Sequence, residues 1–172
     1  PECIVIWGYN IPNTCPDNIF GNWFIDLMKR GSKIICIDPR LSWFASRAKK
    51  WLRLRPGTDG ALAMGFLNVI LNEDLYDHEF VEEWTNAPFL VRCDTDKILR
   101  ESDLDEAGSP DNFVAWDAEK KGPTIWDSAS AKYNWVGTKP ALQGEFEVGL
   151  AGGEKVNCKT VWDVFAARVN EY

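Results

Sequence analysis

Two short unbroken apolar runs open the chain, CIVIW at residues 3–7 and KIICI at residues 33–37. The first shows no polar alternation of a half-exposed strand, so it is predicted to be a strand buried on two faces, and the second is read as another apolar strand. Between them, DNIFGNWFIDLMKRG places Ile19, Phe20, Trp23, Phe24, Leu27 and Met28 at helical spacing, with Asp17 to cap the start and Gly31 to end it. Strand, loop, helix and strand in that order make the right-handed parallel crossover of an α/β sheet.

The pattern continues with a short helix in LSWFASRAKK, a third strand in WLRLR and a long helix in DGALAMGFLNVILNED. That last helix is apolar around most of its cylinder, which predicts packing on both sides. DHEFVEEWT carries Phe80, Val81 and Trp84 on one helical face. Residues 101–140 are rich in Gly, Pro, Asp and Ser and read as a surface subregion of short strands and long turns. EFEVGL and KVNCK flank Gly152 and Gly153 as a hairpin, and VWDVFAARVNEY forms a final helix. No internal repeat is visible. The expected organisation is a core at 1–94, an irregular insertion at 95–140, and a hairpin and helix at 141–172 that complete the same domain.

Composition narrows the classes. The chain has 172 residues, 45% of them hydrophobic, enough for one sizeable core. A net charge of -7 argues against a general nucleic-acid surface. No apolar run approaches the ~20 residues of a membrane-spanning helix, so no membrane insertion is expected. PECIVIWGYN lacks a signal-peptide pattern and starts almost inside a strand, as a piece of a longer protein would. The cysteines, Cys3, Cys15, Cys36, Cys93 and Cys158, form no C-x-x-C pair, so zinc and iron–sulfur sites are not supported; Cys3 and Cys36 are expected as buried thiols. Trp23, Trp84 and Trp162 fall at core-facing helical positions, and His78 reads as a solvated or capping residue.

The chemistry gathers at the ends of the predicted strands, where parallel sheets bind ligands. Gly8-Tyr9-Asn10-Ile11-Pro12-Asn13-Thr14 follows the first strand, Asp38-Pro39-Arg40 the second, and Pro56-Gly57-Thr58-Asp59 the third. The first loop is not G-x-G-x-x-G, so an ordinary nicotinamide or flavin fingerprint fails. Gly8 and Asn10 suit close approach to a phosphate, although taken alone the loop reads as a plain turn. Asp38 sits where nucleotide-binding α/β folds place an acid for ribose hydroxyls, or is a turn aspartate; Arg40 suits phosphate or base stacking, or a surface ion pair. Asp59 is a helix cap, or a carboxylate able to accept both N1–H and N2–H of a guanine.

Taken together, WGYNIPNT, IDPR and the ungapped RPGTDGAL resemble the molybdopterin oxidoreductases of the dimethyl sulfoxide reductase family. The likeness runs from residue 3 to about residue 86 and resumes in the hairpin and final helix; residues 95–140 carry no motif that extends it. It implies a Rossmann-like open parallel sheet with flanking helices, holding one guanosine arm of a bis(molybdopterin guanine dinucleotide) cofactor that carries molybdenum or tungsten. By motif, Gly8 and Asn10 would lie along the pyrophosphate, Asp38, Pro39 and Arg40 beside the nucleoside, and Pro56, Gly57, Thr58 and Asp59 at the guanine end. Ile11 departs from the family's pattern, separating Asn10 from Pro12. The family's iron–sulfur cysteines, its metal ligand and the other half of the cofactor site would lie in segments outside this chain. Expected partners are those remaining domains and an iron–sulfur electron-transfer subunit.

Two other readings compete. One is a cofactor-free structural domain, as in the large iron–sulfur subunit of respiratory complex I; Asp38, Arg40 and Asp59 argue against it, since such a domain has no need of that set. The other is a module for free GTP, which the lack of G-x-x-x-x-G-K-[ST] disfavours.

Overall fold

The computed structural model describes residues 1–10, 19–134 and 136–171. The chain divides into two compact units, residues 1–63 and 64–172.

In the first unit, β1 (Cys3–Trp7), β2 (Lys33–Ile37) and β3 (Lys50–Leu52) form a parallel sheet in that order, with helix α1 (Ile19–Lys29) in the first crossover. β-Branched residues fill β1 and β2 because they pack well on a pleated surface. Ile6, Ile34 and Cys36 meet Phe44 and Ala45 in the core, and Phe24 and Met28 of α1 close over them. The register sets Trp7 beside Ile37, and Ile37 beside Leu52, so all three strands end in one row.

The two-sided burial expected of β1 is not found. Ile4 and Ile6 point to the core, while the two-residue alternation turns Val5 to the opposite face, where it is 55% exposed. Trp23 is likewise exposed, because Phe24 and Met28 take the core side of α1; its ring stands edge-on to Phe20 at 5.2 Å. Cys3 is exposed rather than buried, whereas Cys36 is buried and its thiol pKa is pushed up by that burial. The helix expected across residues 41–50 contracts to one 3₁₀ turn, Ala45–Arg47, entered through the Ser42 hydroxyl, which accepts the Ala45 N–H. β3 stops at Leu52, as residues 53–55 lead into a turn. The expected cap at Asp17, like Cys15 and the loop residues 11–14, lies outside the described residues.

Helix α2 (Asp59–Asn72) starts in the first unit and continues into the second. Among the described residues none of its positions is fully buried, and Phe66, Val69 and Ile70 are exposed.

The second unit adds helix α3 (His78–Trp84), capped by Asp77, and strand β4 (Leu90–Arg92), then helix α4 (Glu101–Leu104). Strands β5 (Phe113–Asp117), β6 (Gly122–Asp127) and β7 (Lys132–Tyr133) make one antiparallel sheet. β4 joins the hairpin of β8 (Glu145–Gly149) and β9 (Lys155–Thr160) in another, followed by helix α5 (Val161–Asn170). The short strands and turns expected in residues 101–140 are present, but Val114 is fully buried with Leu90, Leu99, Val148 and Cys158, and Leu104, Trp116 and Ile125 pack against them, so this stretch carries part of a core. Trp162 is buried as expected, while Trp84 projects into solvent with 77% of its surface exposed. His78 is exposed and its Nε2 lies 3.0 Å from Asp74, consistent with a solvated role.

A local repeat not visible in the sequence links β5 to β6 and β6 to β7. Asp117 accepts the N–H groups of Glu119 and Lys120, and Asp127 those of Ala129 and Ser130. Each turn ends on a left-handed residue, Lys121 or Ala131, both at φ 52°. Among the described residues no helix is long and apolar enough to cross a membrane.

Candidate functional site

All nine candidate residues belong to the first unit, at the carboxyl ends of its strands or the start of α2. The hydrogen-bond ladder runs one residue past two of those ends. Gly8 N–H donates to the Ile37 carbonyl at 2.8 Å, and Asp38 N–H to the Leu52 carbonyl at 3.2 Å. The first peptide of each loop is thereby fixed by the sheet. Gly8 then takes φ +62°, which turns the chain away from the strand direction, and no atom lies within 4 Å of where a Cβ would stand. Asn10 follows, half-buried.

Asp38 is 6% exposed, and its Oδ1 accepts the Arg40 N–H at 2.8 Å. Its carbonyl accepts the Trp51 indole N–H at 2.9 Å, so main chain and side chain are both held. This Asx turn leaves Pro39 and Arg40 exposed. Among the described residues the Arg40 guanidinium has no ion pair or hydrogen bond, so its donors stand open to solvent.

Arg55-Pro56-Gly57-Thr58 is a tight turn. Thr58 donates its N–H to the Arg55 carbonyl at 3.1 Å and its hydroxyl to the same oxygen at 2.8 Å. Proline presets φ at the second position and Gly57 takes φ +87° at the third, the conformation that position of a type II turn requires. The turn delivers Asp59 as the first residue of α2, where the helix dipole favours a carboxylate. Asp59 does not cap its own helix among the described residues; its Oδ1 accepts the Trp7 indole N–H at 2.7 Å. The end of β1, from which the first loop departs, is thus in direct contact with the last residue of the third motif.

Trp7 was not a sequence candidate. Its pattern marks it only as the apolar end of a strand, and a contact across 52 residues leaves no local signal. No group of three or more His, Cys, Asp and Glu able to hold a metal occurs among the described residues. Backbone amides, a guanidinium and a carboxylate collected at the ends of a parallel sheet are the equipment with which such folds hold anionic or nucleotide ligands.

Residues 1–151 match the molybdopterin oxidoreductase family. The chain is 31% identical to the perchlorate reductase subunit alpha of Dechloromonas aromatica over 96% of its own length and 20% of that protein's. It is 30% identical to the dopamine dehydroxylase of Eggerthella lenta, over all of this chain and 24% of the relative. A segment of 89 aligned residues, 48% of the chain and 11% of the relative, is 48% identical to the acetylene hydratase of Syntrophotalea acetylenica. The chain therefore belongs to the molybdopterin oxidoreductase family, spanning about a fifth to a quarter of the length of the first two relatives.

Proposed function

We propose that this chain positions one guanosine arm of a bis(molybdopterin guanine dinucleotide) cofactor within a longer molybdenum- or tungsten-dependent oxidoreductase. The observation that carries the reading is the Arg55–Asp59 turn, which holds a carboxylate at the start of α2 beside three strand ends that finish in register.

The donor set fits such a group. Asp59 offers the acceptors that guanine N1–H and N2–H need, which adenine does not match. Gly8 and Gly57 leave open space where a side chain would stand, so a ligand can approach the backbone closely. Arg40 supplies a planar cation, unpaired among the described residues, for a phosphate or a base face, and Asp38 holds the turn that presents it. Asn10 would lie along the pyrophosphate and Pro39, Pro56 and Thr58 would line the nucleoside. The bound cofactor supplies the redox-active metal; this chain's residues bind and orient it. The remaining domains of the protein, and an iron–sulfur electron-transfer subunit, would supply the rest of the path. Asp38, Arg40 and Asp59 are all present, and this favours the cofactor-binding reading over a cofactor-free structural domain.

Calorimetric titration with GMP, GDP and AMP tests the proposal. Guanine-selective binding that disappears in Asp59→Ala is the expected result. Equal binding of GMP and AMP, or guanine selectivity that survives Asp59→Ala, would refute it.

A further inference from the structure

We infer that Trp7 is a positioning residue for Asp59: its indole N–H fixes the carboxylate in the orientation that receives a guanine edge. This deepens the guanosine-arm reading and rests on it.

The two side chains come from elements of different kinds. Trp7 is the last residue of β1, paired with Ile37 in the ladder, so its Cα is set by the sheet rather than by a loop. Gly8 N–H continues that ladder to the Ile37 carbonyl, which fixes the peptide on the other side of Trp7 as well. Asp59 starts a helix directly after a type II turn, and its backbone alone leaves the carboxylate free to rotate about two side-chain torsions. The 2.7 Å bond from Trp7 Nε1 to Oδ1 removes that freedom.

The chemistry of the partner matters as much as its position. Indole is a donor only, so it cannot compete for the protons of a ligand and consumes one acceptor position of the carboxylate. Oδ2 and the second lone pair of Oδ1 remain for two parallel donors, the arrangement N1–H and N2–H of guanine present. Were Asp59 to fold back on the amides of α2 as an ordinary cap, those acceptors would face the helix instead. A site group held by a rigid element binds without the entropic cost of ordering it at the moment of association. Trp7 therefore acts on guanine recognition through Asp59.

The test combines a measurement on the free protein with one on the complex. In nitrogen–proton spectra, nine tryptophans give nine indole signals, and Trp7→Phe identifies the one that belongs to Trp7. The expected result is a downfield Trp7 indole proton that moves upfield in Asp59→Ala. An unmoved signal overturns the inference whatever the ligand data show. In titrations, Trp7→Phe is expected to weaken GMP binding about tenfold, with AMP binding changed by less than twofold and the urea midpoint near that of the parent. IMP, which has N1–H but lacks the exocyclic amine, should bind between the two. Full GMP affinity in Trp7→Phe, with affinity lost in Asp59→Ala, would leave the guanosine-arm reading intact and refute the role of Trp7. Absence of guanine selectivity in the parent, with the indole shift present, would refute that reading and the role built on it, while the hydrogen bond itself stood.

Discussion

Oδ1 of Asp38 accepts the backbone N–H of Arg40 at 2.8 Å, so a buried acid two residues upstream fixes the direction in which an exposed arginine leaves the sheet. Removing the acceptor frees that N–H. Asp38→Ala is expected to cost about 1 kcal/mol in urea denaturation, the usual net worth of one hydrogen bond, because Arg40 is exposed and water can take up part of its freed N–H. Asp38→Asn keeps an acceptor oxygen and should lose clearly less. Equal losses in the two variants would mean that the charge, rather than the turn, is what the fold needs.

Gly57 and Gly144 separate two reasons for a glycine. Gly57 has φ +87° with open space where a Cβ would stand, so Gly57→Ala meets only backbone strain, about 1 kcal/mol. At Gly144, φ is +135° and a Cβ would stand 2.6 Å from the Phe146 ring. Gly144→Ala must add a steric term, since Phe146 packs against the second unit's core. Denaturation midpoints should therefore rank parent, Gly57→Ala, Gly144→Ala, in falling order.

Stability should decline in mild alkali. Burial pushes the Cys158 thiol up to about 11 from an ordinary 9.0, and the nearby Cys93 adds to the shift. The unfolded chain therefore loses this proton at lower pH than the folded one, so between about pH 9 and 11 the native state binds more protons and stability falls as pH rises. Tyr133, whose pKa burial also raises, extends the fall to higher pH. Below about pH 9 neither group contributes a slope. Unfolding free energies measured across this range should show a shallower decline in Cys158→Ala than in the parent; identical slopes would contradict the assignment.

The repeated aspartate turns offer a stabilising change. Lys121 and Ala131 both stand at φ 52°, a region that costs an L side chain about 1 kcal/mol and costs glycine nothing. Lys121→Gly and Ala131→Gly are each expected to raise the thermal midpoint modestly, in proportion to that strain and net of the entropy glycine adds to the unfolded chain. A lowered midpoint in both would show that the side chains contribute packing that outweighs the strain.

The parts of the fold readable from the residues were those governed by local physics. CIVIW and KIICI became strands with the predicted bounds because short apolar runs rich in β-branched residues have few alternatives. Gly57 and Gly153 marked turns because only particular residues tolerate left-handed backbone. Burial was harder. Trp23 and Trp84 lie on the helices predicted for them yet face solvent, since periodicity specifies a side of a helix and leaves open what, if anything, covers it. The same holds for Phe66, Val69 and Ile70 on α2. Within the candidate site, motif order gathered the loop residues, but the Trp7–Asp59 contact depends on the lateral placement of β1 against the start of α2, which no window of sequence contains.

The common row in which β1, β2 and β3 end has a consequence for how such a chain tolerates insertions and deletions. Adding one residue within β1 would reverse the face presented by every position after it and carry Gly8 about 3.3 Å along the sheet, away from the Ile37 carbonyl. Adding one in the connection between α1 and β2 disturbs the turn there and changes no strand register. Length variation among descendants of this sequence should therefore collect between the strands, while the three short strands themselves keep a constant count.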